Sequence, residues 1–248
     1  MSKLSAGLIV PDTHAPYHDV KAWKLMLKVA RSLKISWMVC MGDLGDFYAV
    51  SDHDKIADRA SKLTEELDSV NACLDDLDGL GANEKMFVEG NHSDRLRRYL
   101  MKHPELFGVI TVPKLLRLRE RGWSYTPYKR HTKHGKVHYT HDVGVSSRNA
   151  IFRSLDLYQH SVITGHTHRM QFVVEANALG TSPKVAASFG WLGDVEQIDY
   201  MNLAKARSSW ALGFGIGYYE AETQYTYFTP VPILPGYRCV VNGTLYKG

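Results

Sequence analysis

Leu8-Ile9-Val10-Pro11-Asp12-Thr13-His14 sets the pattern on which the rest of the chain is read. An unbroken apolar run is the signature of a strand buried on both faces. This one ends on a carboxylate and an imidazole one residue apart. The same device recurs at Trp37-Met38-Val39 before Gly42-Asp43, at Met86-Phe87-Val88 before Gly90-Asn91-His92, and at Val162-Ile163 before Gly165-His166-Thr167-His168. Between the first three runs lie two helical patterns. Trp23, Met26, Leu27, Ala30 and Leu33 recur at helical spacing over 20–34, as do Ile56, Ala60, Leu63, Leu67, Val70, Leu74 and Leu77 before Gly79 and Gly81. Strand, helix, strand, helix, strand predicts parallel βαβ units, whose ligands gather at the carboxyl ends of the strands. The polar clusters fall there.

After Asn91-His92 a further helix is expected, capped by Ser93 or Asp94, with Leu96, Tyr99 and Leu100 on one face and Arg95, Arg98 and Lys102 on the other. Residues 93–122 read as a basic helical insertion. Strands follow at 123–128, 136–140, 161–164, 170–178 and 184–189, with a hairpin near 213–231 and one helix at 145–159. With 248 residues and no Pro/Gly/Ser-rich linker, the chain is expected to form one domain, 1–248. No apolar run approaches the roughly 20 residues that span a bilayer, so no membrane partner is expected. The N-terminus lacks the basic-then-apolar pattern of a secretory signal. Cys40, Cys73 and Cys239 are scattered without CxxC spacing, which argues for reduced thiols and a cytoplasmic location rather than disulfides or a thiolate metal site.

The net charge is only +4, but it is unevenly placed. Twelve Lys and Arg lie between Arg95 and Lys136 against Glu105 and Glu120, whereas twelve acids lie between Asp43 and Glu84 against Lys55, Arg59 and Lys62. The basic stretch, with Tyr99, Trp123, Tyr125 and Tyr128 interleaved, reads either as a solvated face and strand core or as a surface that tracks a nucleic-acid backbone.

The donors at the strand ends are Asp12, His14, Asp43, Asn91, His141, His166 and His168. His138 competes with His141, but His141 sits at the end of its strand and precedes Asp142 and Gly144. Oxygen and imidazole donors without thiolate suit Mn²⁺, Fe or Zn²⁺, and the set is too rich in nitrogen for Mg²⁺ or Ca²⁺. Seven donors exceed the needs of one ion with an open position and match two ions sharing a carboxylate. Any one of these residues alone reads as a hydrogen-bonded loop residue; five ordered motifs at strand ends do not.

Asp12-Thr13-His14, Gly42-Asp43-Leu44-Gly45-Asp46, Gly90-Asn91-His92, His141 and Gly165-His166-Thr167-His168 follow in order the D-x-H, G-D-x-x-D, G-N-H-[DE], isolated His and G-H-x-H motifs. The chain thereby resembles the calcineurin-like metallophosphoesterase superfamily over about 160 residues. The resemblance implies a four-layer αββα sandwich of two mixed sheets flanked by helices. Asp12, His14 and His168 would hold one divalent ion and Asn91, His141 and His166 the other, with Asp43 bridging. Mn²⁺ is the expected ion, with Fe, Zn²⁺ and Ni²⁺ as alternatives. His92 would face the scissile phosphate and a bridging hydroxide would attack. Ser93 stands where the family has Asp or Glu, so Asp94 is the expected catalytic partner of His92, with Asp46 also in position to serve.

Protein Ser/Thr phosphatases of the superfamily carry Arg where this chain has Phe47 and Glu89, and a glutamate has the wrong sign to grip a phosphomonoester dianion. The expectation is therefore a phosphodiesterase acting on nucleic acid or nucleotides, similar in type to DNA-repair nucleases. Arg95, Arg98 and Lys102 are its expected substrate contacts, and DNA or RNA its candidate partner. A lidded phosphodiesterase for cyclic nucleotides, or a nucleotide phosphomonoesterase, is the alternative. A non-catalytic scaffold would require loss of ligands, and all seven are present. Gly190-Trp191-Leu192-Gly193-Asp194 and the tail from Val231 to Tyr246 are similar to metallophosphoesterases of bacteriophage genomes, which points to the cytoplasm of a bacterium or infected host. Oligomeric state is left open.

Overall fold

A computed structural model describes residues 4–52, 62–106, 108–176, 183–197, 204 and 208–248. The chain begins with β1 (Ser5–Val10), α1 (Val20–Leu33), β2 (Trp37–Cys40), α2 (Leu63–Asp78) and β3 (Glu84–Val88). It continues through α3 (Asp94–Met101) and α4 (Val112–Leu115) to β4 (Trp123–Thr126). β1, β2, β3 and β4 are parallel neighbours in that order. Right-handed crossovers that always step in one direction place every connecting helix on the same face of a sheet. Accordingly Trp23 and Met26 of α1, Leu74 and Leu77 of α2, Leu96 and Leu100 of α3 and Val112 of α4 share one core with Leu8, Val10, Met38, Cys40 and Phe87. The stretch 93–122 is thus the crossover from β3 to its parallel neighbour β4. The part of the second helical pattern before residue 62 lies outside the described residues.

The opposite face is free to take a second sheet. It is built from β5 (Thr132–His134), β6 (Val137–Thr140), β7 (Ser161–Thr164), β8 (Met170–Glu175) and β9 (Lys184–Phe189), in the order β5-β6-β7-β9-β8. Side chains alternate across each strand. Ile9, Trp37, Val39, Met41, Met86 and Val88 therefore point inward, against Val137, Tyr139, Ile163, Ala187 and Phe189 of the second sheet. Val162 and Ala186 point outward, under Ile151 and Leu155 of α5 (Ala150–Tyr158). Helices, sheet, sheet and helix make the expected four-layer αββα sandwich. Both sheets are mixed: β10 (Gly213–Glu220) and β11 (Tyr225–Pro232) extend the first sheet antiparallel beside β1.

A second hairpin, β12 (Arg238–Val241) and β13 (Thr244–Lys247), was not expected. Asn242 and Gly243, both at positive φ, form its turn. It packs beside α1, where Ser32 Oγ meets the Tyr246 hydroxyl at 2.7 Å and the Tyr237 hydroxyl donates to Asp19 Oδ2 at 2.8 Å. Asp19 also caps α1 by accepting from the backbone N–H of Lys21 and Ala22. Ser93 does not cap α3: it is already helical, and its hydroxyl makes no cap hydrogen bond. All three cysteines are buried and free. Among the described residues, no helix is long and apolar enough to cross a membrane.

Candidate metal centre

The parallel strands β1, β2 and β3 of one sheet and β6, β7 and β9 of the other end at the same rim of the sandwich. All seven expected donors meet there. Asp12, His14 and His168 offer ligand atoms close together on one side, and Asp43, His141 and His166 do so on the other. Asp43 also groups with His14 and His92, which sets it between the two sides. His14, Asp43, His166 and His168 all have positive φ. That conformation is uncommon for non-glycine residues, and it turns each side chain back toward one point. The glycines before Asn91 and His166 permit the crowding: a Cβ on Gly90 would lie 2.0 Å from Asp43 Oδ1, and one on Gly165 2.4 Å from Asp12 Oδ1.

The spacing of the donors fits metal ligation. His14 Nε2 and His168 Nε2 are 3.1 Å apart, and His168 Nε2 is 3.1 Å from Asp12 Oδ2. Across the centre, His141 Nε2 lies 3.1 Å from Asp43 Oδ2 and 2.9 Å from Asn91 Oδ1, and His166 Nδ1 lies 2.8 Å from the same Asn91 oxygen. Two ligands bound at about 2.1 Å to one ion and at right angles stand about 3.0 Å apart. The chain's own N–H groups complete the carboxylates: His166 N–H donates to Asp12, and His92 N–H donates to Asp43 Oδ1 at 2.8 Å. His141 turns Nδ1 to the Met41 carbonyl at 2.8 Å, leaving Nε2 for an ion.

Electrostatics separate these groups. Burial opposes ionisation of Asp43, yet the charges of His141 and His92 hold it well below the usual carboxylate range. Asp12 is also lowered, against burial, by His141 and His168. Burial works to lower His141, but Asp43 and Asp12 outweigh it and push the imidazole up to about 10. Burial wins at His168, which is pushed down to about 4 despite Asp12.

Two sequence expectations are corrected. Asp94, expected beside His92, instead grips Arg97 through both oxygens, at 2.5 and 3.0 Å. Helix α3 starts at Asp94 and directs it to the residue one turn on, so the carboxylate that reaches His92 is Asp46, with Oδ2 3.3 Å from Nδ1. Asp46 also contacts His14 Nδ1 at 3.2 Å. Arg95 and Lys102, expected as substrate-facing cations, are engaged within the chain. Arg95 is buried and donates to Asp46 Oδ1 at 2.7 Å and to the Asp46 carbonyl at 2.9 Å, while Lys102 pairs with Asp52 at 2.6 Å. Arg121 likewise pairs with Asp75 and Asp78. Arg95, Lys102 and Arg121 are thus three cations of the basic stretch that pair with acids of the acidic one. Arg98 is half-exposed; it pairs with Asp94 at 3.6 Å, and its guanidinium lies 3.5 Å from the Asn91 carbonyl.

His138 stays away from the centre, on the outer face of β6 among His131, Tyr158 and His160. His18 packs against Trp23, and His53 lies outside the described residues. Two residues of the centre's surroundings were missed. Trp191 stacks on the His168 ring at 4.9 Å and 11°, and Trp210 meets that ring edge-on at 4.3 Å. The available signal was position: Trp191 follows β9 as the ligands follow the other parallel strands.

No family model matches the chain. It is similar to the Gene 54 protein of Mycobacterium phage D29, with 27% identity over 97% of this chain and 98% of that protein. Among solved structures it is similar to Vacuolar Protein Sorting 29 from Cryptosporidium parvum, with a TM-score of 0.48, 13% identity and coverage of 98% of this chain and 95% of the other. It is also similar to Yfce, a phosphoesterase from E. coli, with a TM-score of 0.42, 11% identity and coverage of 91% and 98%.

Proposed function

We propose that the protein is a divalent-metal-dependent phosphoesterase that hydrolyses phosphodiester bonds of nucleic acid or nucleotides. The observation that carries this reading is the convergence of the seven donors at one rim: Asp12, His14 and His168 form one group, Asp43, His141 and His166 another, Asp43 also groups with His14 and His92, and Asn91 Oδ1 meets His141 and His166. On one side Asp12, His14 and His168 would hold an ion, and on the other Asn91, His141 and His166 would, with Mn²⁺ expected. Two such ions would supply Lewis acidity at phosphoryl oxygens and make water nucleophilic at neutral pH. The chain's own part is orientation and proton transfer. Asp46 holds Nδ1 of His92, and Arg95 fixes Asp46 from behind. His92 serves the leaving oxygen as a proton donor. Arg98, beside Asn91, contacts the substrate phosphate.

A diester carries one negative charge and needs less neutralisation than a monoester dianion. That agrees with a rim where Arg95 is committed to Asp46 and Glu89 is buried nearby. The same internal pairing favours a second reading, a small nucleotide substrate in place of a polymer, because it leaves fewer cations for a phosphate backbone. The mycobacteriophage relative supports action in the cytoplasm of an infected bacterium.

The test is Mn²⁺-dependent hydrolysis of bis-p-nitrophenyl phosphate and of the monoester, by wild type and His166→Ala. The expected result is a diester preference that the variant loses. Activity against DNA or RNA that falls steeply with salt supports a polymer, since binding one releases counterions. Salt-insensitive turnover of a nucleotide supports the small substrate. Failure to hydrolyse any ester with both ions bound contradicts the reading.

A further inference from the structure

β4 is also parallel to its neighbour, and its carboxyl end delivers neither an aspartate nor a histidine. It leads through Pro127 to Tyr128, which lies beside the centre with its ring 6.2 Å from that of His141. The turn that carries Tyr128 is tied down from three directions. Arg130 N–H closes it on the Pro127 carbonyl at 3.0 Å. The Thr140 hydroxyl, one residue before His141, donates to the Arg130 carbonyl at 3.1 Å. The third tie is Glu89, two residues before the ligand Asn91 and only 5% exposed. Its Oε2 accepts the Tyr125 hydroxyl at 2.7 Å and the Tyr128 backbone N–H at 3.0 Å, while Glu89 N–H donates to the Thr126 carbonyl at 2.9 Å. A carboxylate is costly to bury, so this one is retained for what it holds.

We propose that Tyr128 is a substrate contact of this centre, donating its phenol to a non-bridging phosphate oxygen on the Asn91–His141–His166 side, and that Glu89 is the positioning residue that sets it there. This rests on the phosphoesterase reading and deepens it. The phenol faces the Asp142 carboxylate, whose Oδ1 accepts from the Gly144 N–H at 2.7 Å; a bound phosphate oxygen would replace Asp142 as the phenol's acceptor. A neutral donor matches the single charge of a phosphodiester, where a guanidinium suits the dianion of a monoester. A glutamate just before the Gly-Asn-His motif therefore anchors a loop and does not meet phosphate.

The test compares wild type, Tyr128→Phe, Glu89→Ala, Glu89→Gln and the Tyr128→Phe/Glu89→Ala double variant, all loaded with Mn²⁺ and checked for equal metal content. Two quantities are read: kcat/KM on bis-p-nitrophenyl phosphate, and the dissociation constant of cacodylate, a tetrahedral monoanion with two non-bridging oxygens. Tyr128→Phe is expected to weaken both about tenfold, the size of a lost hydrogen bond to a charged group. Glu89→Ala should match it and add little in the Tyr128→Phe background. Glu89→Gln should recover most of the loss, since its amide oxygen can accept both bonds. Wild-type values in Tyr128→Phe overturn the contact. A Glu89→Ala loss undiminished in the Tyr128→Phe background overturns the positioning role, because Glu89 would then act through Asn91. Cacodylate binding that depends on Tyr128 without turnover of any ester keeps the contact and rejects the hydrolytic reading.

Discussion

The two sides of the donor cluster are built from similar residues but live in different surroundings. Asp12, His14 and His168 are 0%, 3% and 5% exposed, and an aromatic wall of Trp191 and Trp210 closes over His168. Across Asp43, His141 is buried, but Asn91 and His166 are half-open, bordered by Asp142, Tyr128 and the 142–144 turn. The rings are oriented differently too. A hydrogen bond to the Met41 carbonyl fixes His141, whereas Nδ1 of buried His168 finds no hydrogen-bond partner among the described residues and stacking on Trp191 sets its plane. Where water is excluded, the attraction between a cation and its ligands is screened less. On the proposed function, the walled side would therefore be the tighter and more slowly exchanging position, and the open side the one substrate reaches.

This contrast can be broken or sharpened by substitution. Asp43→Asn removes the carboxylate common to both sides, so it should have the largest effect: loss of bound metal at both positions and a fall in diesterase rate of about 10³-fold or more, read by elemental analysis and steady-state kinetics. His166→Ala should empty only the open side, with about a 10²-fold rate loss and one ion kept per chain. Trp191→Leu should leave the open side unchanged and loosen the walled one. Metal release to a chelator should quicken and affinity fall about tenfold, as for loss of other groups that orient a ligand.

The smallest effect is a control far from the metals. Lys85 and Arg121 each donate to Asp78 at 2.7 Å, and the Trp123 indole does so at 2.9 Å. Burial works against ionisation of Asp78, but these bonds hold its carboxyl below the usual value. A lowered carboxylate contributes stability above its unfolded pKa, and that contribution is lost as pH falls through the folded value. Asp78→Asn should thus lower the melting temperature by a few degrees near neutrality. The gap to wild type should close below about pH 4, with metal content unchanged at neutral pH. A variant that shed metal would mean that both sides respond to general destabilisation, and the contrast between them would lose its meaning.

The sandwich and the donors were legible because both are local. An apolar run that stops on Asp-Thr-His or Gly-Asn-His states strand, burial, end and chemistry within ten residues. What surrounds the donors was not, because it is made by contacts between distant segments. Nothing near Arg95 in sequence says that its partner is Asp46, 49 positions away, so a helix face rich in Arg and Lys read as open to substrate. Asp94 looked like the partner of His92 by adjacency, yet the helix that begins there turns it toward Arg97. The place of Trp210 against His168 depends on the packing of 210–212 beside Trp191. The β12–β13 hairpin is a different case. Its Asn242-Gly243 turn was visible, but short strands that lie on a helix carry little alternation to mark them.

The most direct test of the account is a titration of metal-free protein with Mn²⁺ that counts bound ions per chain while tryptophan emission is followed, in wild type and in His166→Ala. The account predicts two ions in wild type, the tighter of which quenches tryptophan beside His168. It predicts one ion in His166→Ala, with that quenching intact. A single ion in wild type, or a His166→Ala protein that loses the tight, tryptophan-coupled ion and keeps the other, would contradict it.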